Sequence, residues 1–248
     1  MGIGKCFIIC HSSVTQIIQK AVMFSRYAVY FTPVPSSALA QFGARWLGWD
    51  SDAGQAPIGL TTPALDVPRI TETPRKYGFH GTIKPPFRLA SGTNAADLEE
   101  KLRAFCTSHT AVHLSGLKLQ RLGHFLALVP DGPADDLAQL AAHVVQDFDD
   151  FRAEPDDAEL AKRRARSLTP MQDAYLRRWG YPYVMDEFRF HMTLSGRLNQ
   201  DDLEAAESAL TPLLQDIPMS PFAIDALTLL GEADNGRFHQ LQRFALAE

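Results

Sequence analysis

The alternation of apolar and polar residues predicts strands with one buried and one polar face, and two of these strands share one pattern. In the first, Phe79 and Ile83 alternate with His80 and Thr82. Successive side chains of a strand point to opposite faces, so the histidine and the threonine are expected to share one face. Residues 188–195 repeat the order Phe, His, any residue, Thr, aliphatic. The chain is therefore expected to contain two histidine-bearing strands with buried backs.

The elements that follow each of these strands also repeat. A polar cap, a helix with acidic residues in its first turn and two strand-like runs cover about 91–129, and the same order returns over 199–246. In the second set Asn235-Gly236 separates the two runs, which is a strong hairpin signal. This order favours antiparallel sheets over an alternating parallel sheet. We expect a pseudo-duplicated, two-lobed α+β fold in which the histidine strands face each other across a central cleft.

The same reading gives the chain one bilobal domain over 23–248. Lobe one is predicted over 23–151 and lobe two over 188–248, and residues 1–22 are predicted to be a peripheral extension. Residues 152–187 have no counterpart in the first lobe and predict a helical, locally basic insertion. This insertion is either a solvated helical hairpin or a set of arginines that closes over an anionic substrate.

Composition narrows the class of protein. A chain of 248 residues that is 46% hydrophobic can bury a full core. The net charge of -5 argues against general attraction to nucleic acid or to anionic membranes. The three cysteines are an odd number without regular spacing, so neither a disulfide framework nor a zinc site is indicated, and a cytoplasmic location fits. No apolar run approaches the ~20 residues that span a membrane.

The strict motif Phe-His-x-Thr-aliphatic occurs at His80 and His191, whereas the looser His-x-Ser also occurs at His11 and His113. Each strict strand is predicted to present an imidazole, a hydroxyl and a cation on one face. The predicted sets are His80, Thr82 and Lys84 in the first strand, and His191, Thr193 and Arg189 in the second. Possible accessory residues are Arg75, Tyr77 and Ser195.

This set of side chains suits a phosphodiester. Breaking the ester requires a base for the nucleophile and an acid for the leaving oxygen, and two imidazoles can take these roles near neutral pH. The hydroxyls of Thr82 and Thr193 can donate to the non-bridging oxygens. Lys84 and Arg189 can stabilise the charge that grows there, and the planar fork of arginine makes Arg189 the better candidate. Which histidine is the base stays open.

Rival chemistries find no support in the sequence. No Asp, Glu or Cys shares the face of either histidine, and the adjacent cations oppose metal binding, so no metal is predicted. A Gly-x-Ser-x-Gly elbow is absent, and so is a glycine-rich phosphate loop of the Walker or dinucleotide type. No cofactor is predicted either.

The two motifs resemble those of the two-histidine (2H) phosphoesterase superfamily, which includes RNA ligase-like and cyclic nucleotide phosphodiesterases. The segment 75–89 is similar to a bacterial branch of uncharacterised proteins associated with phosphonate utilisation, and 188–196 matches that branch too. The resemblance covers roughly 26–248. It implies a metal-independent phosphodiesterase in which His80 and His191 are acid and base.

The resemblance implies a phosphoric diester hydrolase of the cyclic phosphodiesterase type, and its phosphonate-associated branch suggests a cyclic ribose phosphate as substrate. An RNA 2′,3′-cyclic phosphate is the alternative within the same chemistry. A third hypothesis is a non-catalytic protein that binds a phosphorylated ligand or an RNA end. Both catalysis and binding predict affinity for phosphate, and turnover separates them.

Overall fold

Nine strands form one seven-stranded sheet and one two-stranded sheet in the described residues, which are 24–63, 65–165 and 167–248 of this computed structural model. The predicted extension 1–22 lies outside these residues. The strands are β1 (Arg26–Phe31), β2 (Gly81–Phe87), β3 (Val112–Leu114), β4 (Leu117–Leu122), β5 (Phe125–Pro130), β6 (Met192–Thr193), β7 (Phe222–Ile224), β8 (Ala226–Glu232) and β9 (Phe238–Ala245). The larger sheet has the order β4-β5-β6-β2-β1-β8-β9, and its pairs are antiparallel. The predicted α+β class with antiparallel sheets is confirmed.

Eight helices connect these strands in the described residues. They are α1 (Ala38–Leu47), α2 (Val67–Ile70), α3 (Glu72–Arg75), α4 (Ala95–Ser108), α5 (Asp135–Asp147), α6 (Asp157–Arg164), α7 (Pro170–Trp179) and α8 (Gln200–Leu214). The duplicated helices α4 and α8 begin after Asn94 and Asn199, whose side chains accept a hydrogen bond from a backbone N–H in the first turn. Polar caps of this kind explain why both helices could be located from sequence.

The sheet interleaves the two halves of the sequence. Strand β5 of the first half pairs with β6 of the second, and β1 pairs with β8. The short strands β3 and β7 pair with each other in the separate sheet. The duplication is thus visible as two matching sets, β3-β4-β5 and β7-β8-β9, but the predicted lobes 23–151 and 188–248 exchange strands.

Helices cover one face of the main sheet and bury the apolar side chains of its strands. Helix α5 contacts β2, α8 contacts β5, and α4 contacts β8 and β9. Val29, Ile83 and Met192 are buried in the core on this face. A second, smaller cluster of Ala28, Tyr30, Leu230 and Phe238, with Tyr77 packed against it, lies apart from the main core.

The predicted helical insertion contains α6 and α7. Helix α7 begins with a capping box, in which the Thr169 side chain accepts from the backbone of Gln172 and the Gln172 side chain accepts from the backbone of Thr169. It ends at Gly180, which has a left-handed φ of 70°. In the described part of the chain, no helix has the length and apolar character needed to cross a membrane.

Candidate active site

Strands β2 and β6, which carry the two motifs, are neighbours in the main sheet. Their register pairs Gly81 with Met192, and Met192 is fully buried on the helix-covered face. A Cβ on Gly81 would lie 2.3 Å from the ring of Phe190, so this approach requires glycine. Because side chains alternate along a strand, the residues on either side of this pair point to the opposite face. Both histidines and both threonines therefore share one face.

This arrangement corrects one part of the expectation. The histidine strands were expected to face each other from separate lobes across a cleft. They instead lie side by side in one sheet, because β6 inserts between β5 and β2. The prediction that the motifs come together is confirmed, and the way they do so differs.

The two imidazoles are held in the same way. Nδ1 of His80 lies 2.9 Å from the carbonyl oxygen of Gly78, and Nδ1 of His191 lies 2.8 Å from that of Arg189. A carbonyl only accepts, so Nδ1 is the donor in each ring and Nε2 of the neutral form is left with a lone pair. Gly78 has a φ of 74°, which L side chains rarely adopt. Because Nδ1 of each ring bonds a carbonyl of the local backbone, Nε2 on the other side of the ring points away from that backbone.

Aromatic side chains surround His80. The ring of Tyr30 stacks on the imidazole with centroids 3.8 Å apart and an interplanar angle of 19°. The ring of Tyr77 lies 6.0 Å from the imidazole, and Phe238 packs against both tyrosines. Burial lowers the pKa of His80 to about 4; the hydrogen bond to Gly78 opposes this shift and His191 adds to it. His80 is therefore neutral at pH 7.

The environment of His191 is more open. Its imidazole has one aromatic neighbour, Phe125, with ring centroids 5.8 Å apart and tilted by 58°. Within the described residues its Nε2 makes no hydrogen bond, whereas Nε2 of His80 lies 3.1 Å from the hydroxyl oxygen of Thr82. Among the described residues, the second imidazole therefore keeps its Nε2 without a hydrogen-bond partner.

The prediction that Lys84 shares the face of His80 is wrong. Strand β1 pairs Tyr30 with Thr82 but pairs the preceding residue, Val29, with Lys84. Neighbours on β1 point to opposite faces, so Thr82 and Lys84 also do, and the extra residue between them makes a β-bulge. Lys84 is 2% exposed, and its Nζ donates to the carbonyl of Val145 near the end of α5. Burial lowers its pKa to about 8.

Two of the accessory candidates, Arg75 and Ser195, make hydrogen bonds that hold parts of the fold together. Arg75 donates from Nε to the carbonyl of Leu47 at 2.7 Å and from Nη2 to the hydroxyl of Thr71 at 2.9 Å. Ser195 is 1% exposed; its Oγ accepts from the N–H of Leu126 and donates to a backbone carbonyl. The structure thus places neither side chain beside the imidazoles.

Arg189 remains next to the second motif. Its Nη1 donates to the backbone carbonyls of Asp186 and Phe188 at 2.8 and 2.6 Å. In the described part of the chain, Nε and Nη2 have no hydrogen-bond acceptor. The backbone therefore holds Nη1 of this guanidinium, and Nε and Nη2 can donate to another group.

Tyr77 was predicted as an accessory candidate, and the structure places its ring beside His80, but Tyr30 was missed. Tyr30 lies in β1, where its alternation with Val29 can be read from the sequence, but the strand that pairs with it there cannot. Tyr181 of the insertion also lies near Tyr30 and contributes to raising the pKa of that phenol, after the larger effects of burial and Tyr77. No group of three or more His, Cys, Asp or Glu side chains in the described ranges is arranged to hold a metal ion.

Several known proteins are similar to the chain. Two relatives carry the name "Ribose 1,5-bisphosphate phosphokinase PhnN". The one from Janthinobacterium sp. (strain Marseille) is 41% identical over 220 residues, which is 84% of this chain and 48% of the relative. The one from Laribacter hongkongensis (strain HLHK9) is 34% identical over 181 residues, 72% of this chain and 42% of the relative. The chain thus spans about half the length of these curated relatives.

Solved structures that align with the chain include one described as a phosphoesterase and LigT of E. coli complexed with 3'-AMP. The first has a TM-score of 0.41 at 15% identity and covers 91% of this chain and all of the other. The second has a TM-score of 0.38 at 16% identity with the same coverage. The family model described as "Protein of unknown function (DUF1045)" matches residues 82–239, more than half of the chain, and the chain belongs to this family.

Proposed function

We propose that this chain is a metal-independent phosphodiesterase that opens a cyclic phosphodiester with a pair of histidines. The observation that carries the proposal is the placement of His80 and His191 on adjacent strands and one face, with matched Nδ1–carbonyl bonds. Thr82 and Thr193 lie on the same face and can donate to the non-bridging oxygens of a phosphate. The free donors of Arg189 can stabilise the charge of the transition state.

We infer the roles of the two rings from the difference between their surroundings. A general base must be unprotonated, and the pKa of about 4 keeps His80 neutral. Its Nε2 lone pair, which faces the Thr82 hydroxyl at 3.1 Å, becomes available when that hydroxyl turns to donate to the phosphate. A general acid must reach the leaving oxygen, and Nε2 of His191 makes no hydrogen bond within the described residues. Water then attacks phosphorus as His80 takes its proton. The P–O bond to the leaving ester oxygen breaks, and that oxygen receives a proton from His191.

The names of the relatives support a cyclic ribose phosphate as substrate. They are named for a kinase that acts on ribose 1,5-bisphosphate. Water added to a 1,2-cyclic phosphate of ribose 5-phosphate, with cleavage at the oxygen of carbon 2, gives ribose 1,5-bisphosphate. The proposed hydrolysis would therefore produce the compound that appears in that name.

Kinase activity itself finds no support in this chain. A phosphokinase of the P-loop type needs a glycine-rich loop whose backbone N–H groups cradle the phosphates. The sequence contains no Gly-x4-Gly-Lys-Ser/Thr, and it spans only about half of the relatives that carry the kinase name. The proposed activity is hydrolysis.

The test is turnover in the presence of a metal chelator. The substrates are the 1,2-cyclic phosphate of ribose 5-phosphate and a panel of 2′,3′-cyclic nucleotides, with product followed by ³¹P NMR. His80→Ala and His191→Ala are compared with a matched control, His113→Ala, which alters an exposed His-x-Ser in β3. We expect turnover that survives chelator, is lost in the first two variants and is unchanged in the control.

Other outcomes identify the alternatives. Preference for the 2′,3′-cyclic nucleotides would point to an RNA end as the substrate. Turnover that the chelator abolishes would overturn the metal-independent mechanism. Phosphate binding without turnover, lost in both histidine variants, would identify a binding protein.

A further inference from the structure

A single 3₁₀ turn, Met185–Glu187, lies between the helices of the insertion and the second histidine strand. The side chain of Arg189 reaches back to this turn, because its Nη1 donates to the carbonyl of Asp186 at 2.8 Å. Arg189 lies directly beside the candidate active site, since its own carbonyl accepts from Nδ1 of His191 at 2.8 Å. The position of the turn therefore decides where this guanidinium is held.

The backbone of this turn is strained. Met185 has a φ of 52°, in the left-handed region that residues other than glycine seldom adopt. Such a conformation persists only where the surrounding structure holds it in place. Val184 and Phe188, on either side of the turn, are buried, whereas none of the three residues of the turn is. The turn therefore depends on contacts from a neighbouring element.

Helix α7 supplies these contacts with two side chains of one helical face. The side chain of Gln172 donates from Nε2 to Oε2 of Glu187 at 2.9 Å. The hydroxyl of Tyr175, three residues further along the helix, donates to Oδ2 of Asp186 at 3.3 Å. The helix is itself fixed, because Leu176 is fully buried. Asp186 is therefore bound by α7 at its carboxylate and by Arg189 at its carbonyl.

We propose that helix α7 positions Arg189 for the reaction, and that Tyr175 is a positioning residue that acts through Asp186. This inference rests on the proposed function, in which the free donors of Arg189 stabilise the transition state. A side chain that is ordered in advance loses less conformational entropy when it binds a phosphate. In this role the insertion 152–187 orders the guanidinium that contacts the substrate, and its own side chains need not touch the substrate.

The first test removes one phenol oxygen. Tyr175→Phe keeps the ring, and Tyr183→Phe is the matched control, because Tyr183 is an exposed tyrosine of the same insertion. On the 1,2-cyclic phosphate of ribose 5-phosphate, Tyr175→Phe is expected to lower kcat about 3- to 10-fold and to leave KM within about 2-fold, since Arg189 acts in the transition state. No loss in Tyr175→Phe, or the same loss in Tyr183→Phe, would overturn the proposal.

A double-mutant cycle distinguishes positioning of Arg189 from a general contribution to the fold. If Tyr175 acts through the guanidinium, its hydroxyl has nothing left to position once Arg189→Met has removed that group. In the Arg189→Met background, Tyr175→Phe is therefore expected to lower kcat by less than about 2-fold. Losses that multiply in the double variant would show that the tyrosine acts by another route and would overturn the proposal.

A measurement without substrate separates this proposal from failure of the hydrolysis. In ¹⁵N NMR spectra the Nε–H signal of Arg189 is identified by its loss in Arg189→Met, and its heteronuclear NOE reports how ordered the side chain is. The double variant Gln172→Glu/Tyr175→Phe removes both donors to the turn, while glutamate keeps the acceptor of the capping box. We expect a lower NOE in this variant and an unchanged NOE in Tyr183→Phe. An unchanged NOE in the double variant would overturn the proposal even if the protein hydrolyses the cyclic phosphate.

Discussion

The two histidine motifs have the same local geometry and different surroundings. In each, the imidazole bonds the carbonyl two residues earlier, and the apolar residues of the strand face the core. His80 is stacked on Tyr30, whereas His191 has Phe125 as its aromatic neighbour. The duplicated sequence supplies a matched pair of imidazoles, and the non-duplicated neighbours give the two rings different surroundings.

Removing each imidazole in turn is expected to have the largest effect on the comparison of the two motifs. His80→Ala and His191→Ala are each expected to lower kcat about 10²–10⁴-fold on an alkyl phosphodiester. An ester of p-nitrophenol needs little help from a general acid, so His191→Ala should recover most of its loss on that substrate, whereas His80→Ala should not. Steady-state kinetics on the two esters measure this. Equal recovery in both variants would reject the assignment of roles.

The cations beside the motifs provide the next test. Lys84 follows the first motif but lies under α5, whereas Arg189 precedes the second and keeps free donors. Arg189→Met is expected to lower kcat/KM about 10- to 100-fold through loss of charge stabilisation. Lys84→Met should change kcat/KM by less than about 2-fold in the folded protein. Comparable losses in the two variants would place both cations at the reaction.

A smaller effect concerns the acid limb of the pH profile. Because the base must be unprotonated, kcat/KM is expected to fall only as the pH drops through about 4, the pKa of His80. Tyr30→Leu admits water to the imidazole and should move this limb upward by about 1–2 pH units, toward the ordinary histidine value. Tyr30→Phe keeps the ring and should keep the limb in place. A limb that stays fixed in Tyr30→Leu would show that the stack does not set the protonation of His80.

The last prediction concerns stability alone. The pKa of Lys84 is lowered to about 8 in the folded protein, so the unfolded chain binds this proton more tightly. The free energy of unfolding should therefore rise as the pH increases from about 8 through the ordinary value of 10.5, on the order of 3 kcal/mol from this group. Urea denaturation of wild type and Lys84→Met checks this. If the free energy of unfolding changed with pH in the same way in the wild type and in Lys84→Met, this prediction would be contradicted.

Local features were predictable, because the signals that fix them are a few residues apart. The capping box of Thr169 and Gln172, the stop at Gly180 and the buried backs of the histidine strands all follow from short-range chemistry. The class of the fold followed from the repeated order of elements. These features do not depend on which strands become neighbours.

The pairing of strands and its consequences were not predictable. Strand β1 pairs with β8 about 200 residues away, and nothing local marks that partner. The bulge between Thr82 and Lys84 breaks the alternation from which Lys84 was placed on the site face, and it shows only in the pairing with β1. Tyr30 reaches His80 through the same tertiary arrangement. The two histidine motifs were therefore readable in the sequence, and the stacking of Tyr30 on His80 was not.

The exchange of strands between the halves also governs how the chain is made. Strand β1 lies between β2 and β8, so its second edge stays unpaired until residue 232 has been synthesised. At about 5–20 residues per second, a ribosome leaves that edge open for roughly 10–40 s. Unpaired edges can pair with the wrong partner, and closing a loop of this length slows folding. The nascent chain is thus a natural client for a chaperone until its penultimate strand arrives.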